Sequence, residues 1–244
     1  MSCLIFGMIS LAVLNLLDFY KLAIECFKGK SLWRTLSNFK FSELEVFGDL
    51  LDAGSKNISS SYYRYLDLSK VKSSSFVDYY SNKEDKILKI DLEKEIPINS
   101  SSYDSIILMN VIEHVFNFKL MLSELFRITR PGGVLIGAVP FMFRYHADPN
   151  DFYRFTHKCL YRILIESGYK EIKIYTIGNG LLIVLAEQIS RYIPSYKIFL
   201  FLKFLIWFVS INLSKFRIFN KENIKFNKKQ SSYLGLVFQG KKLK

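Results

Sequence analysis

Ser102–Phe141, SYDSIILMNVIEHVFNFKLMLSELFRITRPGGVLIGAVPF, is the stretch on which the fold turns. Ile106–Met109 is a short apolar run of the kind a strand covered on both faces requires. It passes into a polar exit, Asn110-Val111-Ile112-Glu113-His114. Phe118, Met121, Leu122, Leu125 and Phe126 then recur at helical spacing, with Lys119, Ser123 and Arg127 between them, which predicts an amphipathic helix over 117–130. Pro131-Gly132-Gly133 stops that helix, and Val134–Val139 is a second buried strand.

Outward from this unit the same alternation continues. Phe47–Ala53 predicts the first strand, with Gly54-Ser55-Lys56-Asn57 as the turn after it. Ser59–Ser69 predicts a helix opened by a Ser or Asn cap. Ser75–Tyr79 and Ile87–Ile90 read as strands two and three. Thr156–Ser167, closed by Gly168, reads as a helix, and Tyr169–Thr176 and Tyr233–Gln239 as the last two strands. The pattern predicts an α/β fold with a doubly wound, mostly parallel sheet, an N-terminal helix and a hydrophobic helical insertion before the final strand. The expected organisation is a helical segment over 1–40, a core over 41–180, an apolar and basic insertion over 181–230, and a final strand with a basic tail over 231–244.

The pair "D-x-[apolar]-…-E-H" and "R-[apolar]-x-R-P-G-G-x-L", here Asp104 to His114 and Arg127 to Leu135, resembles the second half of class I S-adenosylmethionine (SAM)-dependent methyltransferases of the type-11 branch. The resemblance covers about Phe47 to Thr176. It implies a Rossmann-like fold, SAM as cofactor and a methyl acceptor beside it. In open parallel sheets ligands bind outside the carboxyl ends of the strands. The resemblance then implies cofactor contacts from Asp52, Gly54 and Ser55 in the first loop, and a ribose-binding carboxylate at Asp78, 24 residues after Gly54. A carboxylate accepts from two hydroxyls and so suits a vicinal diol. Asp67 competes for that role. Asp91 would accept from the adenine amino group, Leu92 would flank the ring, and Asn110 would line the methionine end. The loop departs from the family's glycine pattern at Lys56 and Ile58. A nicotinamide cofactor is not expected, because the glycine spacing that cradles its phosphates is missing.

On the acceptor side, Glu113 and His114 are catalytic candidates. Being adjacent, they are not expected both to face the pocket. Pro140–Thr156 resembles the "P-F-x-x-x-x-H-x-x-P-x-D-[YF]-x-R-[FY]-T" loop of a subgroup associated with polysaccharide biosynthesis. His146 would take a proton from a hydroxyl acceptor near neutral pH. Tyr145, Asp151 and Arg154 would bind a polar substrate, or Asp151 and Arg154 would brace the loop, with His157 capping the next helix. No metal-ligand set is read from the sequence.

The three cysteines, Cys3, Cys26 and Cys159, form no CxxC and read as free thiols. Half of the residues are apolar, which supports a large core and argues against disorder. From Ser214 to Lys244 there are nine Lys/Arg against one acid, +8 of a net charge of +12. A basic block this local points to an anionic surface or to a solubilising tail. Cys3–Leu17 lacks the flanks of a signal peptide and is short for a membrane span. Ile198–Ile211, apolar except Lys203 and Ser210, reads either as an interfacial helix or as a hairpin covering the sheet.

The expected activity is methyl transfer to a small-molecule or glycan-linked acceptor in cell-surface polysaccharide biosynthesis. The expected location is the cytoplasm, with attachment to the inner face of the plasma membrane through 198–229. Two alternatives stay open. One is a non-catalytic scaffold of the same fold, on the strength of Lys56. The other is an RNA methyltransferase, on the strength of the basic tail, against which no aromatic Pro-Pro motif follows strand four and no Pro-Cys pair occurs; DNA is not expected. Oligomeric state is not read from the sequence.

Overall fold

The computed structural model describes residues 16–55, 59–80, 87–190, 192–193, 197–213, 219–222 and 232–244. Expectations for Cys3, Lys56, Ile58, residues 1–15 and most of the basic run after Leu213 lie outside them. Among the described residues two helices come first, α1 (Leu16–Phe27) and α2 (Leu32–Phe41). Eight strands follow: β1 (Gly48–Ala53), β2 (Val71–Asp78), β3 (Ile87–Lys89), β4 (Tyr103–Met109), β5 (Thr129–Pro140), β6 (Lys170–Ile177), β7 (Phe219–Glu222) and β8 (Gly235–Lys241). Helices α3 (Phe118–Ile128) and α4 (His157–Glu166) flank β5, and α5 (Leu181–Ser190) and α6 (Lys197–Leu213) lie between β6 and β7.

The strands form one sheet in the order β3-β2-β1-β4-β5-β8-β6-β7. The pairs from β3 through β5 are parallel, while β8 runs antiparallel to both β5 and β6, and β7 antiparallel to β6. Strand order reverses between β1 and β4, which opens a crevice at their carboxyl ends. Each face carries its own core. Ile106 and Leu108 pack with Met121, Leu125 and Leu160 from α3 and α4. Ile107, one residue out of phase, packs with Leu36, Trp33 and Trp207 on the other face. That period of two is why the β4 run is apolar throughout.

Three local departures have physical causes. The helix expected over Ser59–Ser69 is one 3-10 turn, Ser61–Arg64, and β2 begins at Val71. The hydroxyls of Tyr62 and Tyr63 both donate to Asp52 Oδ2, at 2.5 and 2.7 Å, and draw this segment onto the end of β1. The tyrosines are also weak helix formers. Second, α2 is a separate helix. Ser31 Oγ accepts from Arg34 N, and Glu187 of α5 accepts from the Leu32 and Trp33 amides, so a distant carboxylate satisfies its first turn. Third, β7 adds an edge strand that the polar FNKE stretch did not announce.

Helix α6 is apolar on both sides but only one side is packed. Leu200, Phe204, Trp207 and Ile211 are buried; Phe201, Leu202, Leu205 and Val209 are exposed. Trp207 Nε1 donates to Ser190 Oγ at 2.8 Å and holds α6 on α5. Among the described residues no helix is long and apolar enough to cross a membrane.

Candidate active site

A cavity of about 290 Å³ lies at the carboxyl ends of β1, β2 and β4. It is lined by Gly54 after β1, Asp78 at the end of β2, Asp91 and Leu92 after β3, and Asn110 and His114 after β4. Tyr79, Tyr80, Ile90, Glu93, Val111 and Val115 complete these walls, and Asp148, Pro149 and Asn150 enter from the loop after β5.

The backbone is shaped for this. Gly54 has φ +108°, and a Cβ there would stand 2.3 Å from Val111 Cγ2, so only glycine lets the first loop meet the fourth. Asn110 has φ +53°, a left-handed conformation that Asn tolerates, and its Oδ1 accepts from Trp33 Nε1 at 3.2 Å. Asp78 Oδ1 accepts from the Tyr80 amide and Asp91 Oδ1 from the Glu93 amide, so each carboxylate turns its own loop. Helix α3 braces the Asp91 loop from behind. Glu124 accepts from the Ile96 amide, and Arg127 donates to the Ile96 and Ile98 carbonyls.

Of the residues expected at the cofactor, Gly54, Asp78, Asp91, Leu92 and Asn110 converge on this cavity. Asp52 and Ser55 do not line it. Asp52 is buried under the loop against the two tyrosines, and burial pushes its carboxyl up to about 7. Ser55 is buried with its hydroxyl on Ser60. Asp67 lies before β2, at the opposite end of that strand from Asp78, with its carboxylate on the Ser69 amide.

On the acceptor side, His114 lines the cavity and Glu113 sits behind it, wholly buried. Both nonetheless reach toward His146, because Ile112–His114 is a tight 3-10 turn and not a regular helix. Glu113 Oε1 is 3.7 Å from Nε2 of each histidine, and the two rings meet edge-on with centroids 4.9 Å apart. The Glu113 carboxylate beside it raises the pKa of His146 above the ordinary histidine value, against the effect of partial burial. Asp151 and Arg154 do not face the cavity. Arg154 donates to both Asp151 oxygens and to the Arg144 carbonyl, and Asp151 Oδ2 accepts from the His146 amide, so the pair braces the loop that carries His146. Burial opposes ionisation of Asp151, but these hydrogen bonds outweigh it and bring its pKa down to about 2. Tyr145 is 73% exposed on the same loop. His157 does not cap α4; the Thr156 hydroxyl does, accepting from the Cys159 amide.

Tyr79 and Tyr80, packed edge-on at 5.1 Å, were missed as lining residues. Their signal is position: two exposed aromatics directly after the strand-end acid. Asp148, Pro149 and Asn150 sit inside the loop already singled out for the acceptor, but nothing in their types marks them.

Residues 54–137 match a family model described as a methyltransferase domain. Over that stretch the chain is similar to a methyltransferase domain. SAM is the cofactor of such a domain, and the matched stretch runs from the glycine of the first loop into β5. The fold is likewise that of solved SAM-dependent methyltransferases. One from Archaeoglobus fulgidus superposes with a TM-score of 0.54 at 15% identity, over 91% of this chain and 99% of that one. One from Thermotoga maritima gives 0.51 at 15%, over 85% and 88%. Phosphoethanolamine N-methyltransferase 2 of Haemonchus contortus, solved with phosphomonomethylethanolamine and S-adenosylhomocysteine, gives 0.51 at 13%; the alignment covers 93% of this chain but 58% of that one. No curated protein sequence matches the chain.

The residues present fit the cofactor. Two carboxylates, Asp78 and Asp91, stand at the ends of β2 and β3 where a diol and an amino group need acceptors, with Leu92 and Ile90 as apolar walls.

Proposed function

We propose that the protein transfers the SAM methyl group to a small-molecule or glycan-linked acceptor, in polysaccharide biosynthesis at a membrane surface. The observation that carries the reading is one cavity with Asp78 and Asp91 on one side and His114, backed by Glu113 and His146, on the other. When bound, SAM supplies a methyl group already activated on a sulfonium. The protein's part is then alignment and exclusion of water. Asp78 would hold the ribose hydroxyls, Asp91 and Leu92 the adenine, and Asn110 and Gly54 the backbone of the methionine end. The His114–Glu113–His146 wall would receive the acceptor's polar atom and manage its proton. Asp151 and Arg154 fix the loop, and Tyr145 offers an exposed ring to an acceptor sugar.

The polysaccharide assignment is supported by the likeness of the Pro140–Thr156 loop to that subgroup. Membrane attachment is supported by the exposed apolar side of α6, by exposed Leu182, Leu185 and Ile189 of α5, on which α6 packs, and by the basic run that follows α6 in sequence. Incubating the protein with methyl-labelled SAM and fractionated cell extract tests the acceptor. Label is expected in the glycan or small-molecule fraction. Label confined to RNA would overturn that acceptor class.

A further inference from the structure

Glu113 is wholly buried, and neither carboxylate oxygen receives a hydrogen bond. An ionised carboxylate in that position requires a cation beside it. Its nearest basic atoms are Nε2 of His114 and Nε2 of His146, each 3.7 Å from Oε1, with the Arg154 guanidinium acting on it from farther off. That is too long for a hydrogen bond. It is close to the ligand–ligand separation of about 3.4 Å around a tetrahedral ion bound at about 2.1 Å. All three ligand atoms lie within 4.8 Å of one another.

The far side of each imidazole is already engaged. His114 Nδ1 meets the Asn150 carbonyl, and His146 Nδ1 meets the Arg144 carbonyl at 3.1 Å and Asp151 Oδ2 at 3.2 Å. Carbonyls and carboxylates only accept, so each Nδ1 carries a proton. In the neutral ring each Nε2 then presents a lone pair, and both lone pairs face a carboxylate oxygen. That arrangement repels unless a proton on one ring or a metal cation between the three atoms supplies positive charge. Outer hydrogen bonds of this kind, to backbone carbonyls and a carboxylate, are how metal-binding histidines are held in the ligating tautomer.

We propose that Glu113, His114 and His146 bind one divalent transition-metal cation of the zinc class. Two imidazoles and a carboxylate suit such an ion and not magnesium or calcium, which prefer oxygen. Three protein ligands leave at least one position open. Because His114 lines the methyl-transfer cavity, that position would take an oxygen of the acceptor. This last role rests on the methyltransferase reading; the binding of the ion does not.

The test is titration of the chelator-treated full chain with Zn²⁺ and, separately, with S-adenosylhomocysteine. One Zn²⁺ per chain is expected, with a Kd below about 1 μM. His146→Ala and Glu113→Gln should each weaken Zn²⁺ binding by more than about 100-fold. His146→Ala, at a partly exposed loop position, should keep the wild-type affinity for S-adenosylhomocysteine. Co²⁺ in place of Zn²⁺ should show visible absorption that His146→Ala abolishes. No Zn²⁺ binding, or binding unchanged in both variants, overturns the proposal even where S-adenosylhomocysteine binds normally. It would leave a protonated His146 as the counter-charge to Glu113. Zn²⁺ bound as expected without S-adenosylhomocysteine binding would instead count against the methyltransferase reading alone.

Discussion

The indole Nε1 of Trp33 donates to Asn110 Oδ1 across 3.2 Å, so α2, which precedes the matched domain, holds the residue that turns β4 into the cavity. The ring is fixed from its other side by Gly235 of β8, where an added Cβ would stand 2.5 Å from Cη2. Trp33→Phe removes the hydrogen bond together with the Cη2 and Cζ3 atoms that pack on Gly235. It is expected to weaken S-adenosylhomocysteine binding three- to tenfold, about 1 kcal/mol. Calorimetric titration checks this; unchanged affinity would show that Asn110 keeps its conformation without the indole.

Gly54→Ala forces a side chain into a backbone with φ +108° and against Val111. A stability loss of about 1–3 kcal/mol in urea unfolding is expected, with loss of cofactor binding. Adding Val111→Ala removes the 2.3 Å clash and leaves Val111 Cβ at 3.5 Å, so part of the loss should return. The remainder measures the backbone strain alone.

Asp52 gives the stability a pH dependence. Burial raises its carboxyl to about 7, whereas an unfolded Asp titrates near 4. Its contribution is therefore complete below about pH 4 and is lost as pH rises through about 7. Asp52→Asn can still accept from Tyr62 and Tyr63 and cannot ionise. The variant should flatten the fall in stability between about pH 4 and pH 7 and exceed the wild type by about 1–3 kcal/mol at the upper end. Parallel stability profiles for the two proteins would rule out Asp52 as the titrating group.

The two central strands β4 and β5 were legible because each carries an uninterrupted non-polar run, Ile106–Met109 and Val134–Val139. Asp78 and Asp91 were named through the family resemblance, and both line the cavity at the strand ends. The fate of Ser59–Ser69 was not legible, because it depends on two hydroxyls meeting Asp52 across ten and eleven residues. Nor was the meeting of Glu113 with His146. Sequence adjacency suggested that Glu113 and His114 diverge, and only the 3-10 turn and the Asp151–Arg154 brace bring all three groups together. Helix α6 was read as an all-or-none surface; the structure divides it, since Trp207 and Phe204 are buried while Phe201 and Leu205 are exposed.

That divided helix predicts lipid binding. The protein should float with anionic liposomes at low salt and less so at high salt, since the basic residues Lys215, Arg217, Lys221, Lys225, Lys228 and Lys229 act within a Debye length. Phe201→Glu with Leu205→Glu should abolish flotation without unfolding, as both side chains are exposed. Wild-type protein that stays at the bottom of the gradient as a dimer would assign the face to a second copy.

The central claim is that the cavity between β1, β2 and β4 is a SAM site held by Asp78. Calorimetric titration of S-adenosylhomocysteine into wild type, Asp78→Ala and Asp67→Ala tests it most directly. Wild type and Asp67→Ala should bind equally, and Asp78→Ala should bind roughly 10- to 100-fold more weakly, the loss of about 1–3 kcal/mol expected when two ribose hydroxyls lose their acceptor. Equal binding by all three proteins, or no binding by the wild type, would contradict the account.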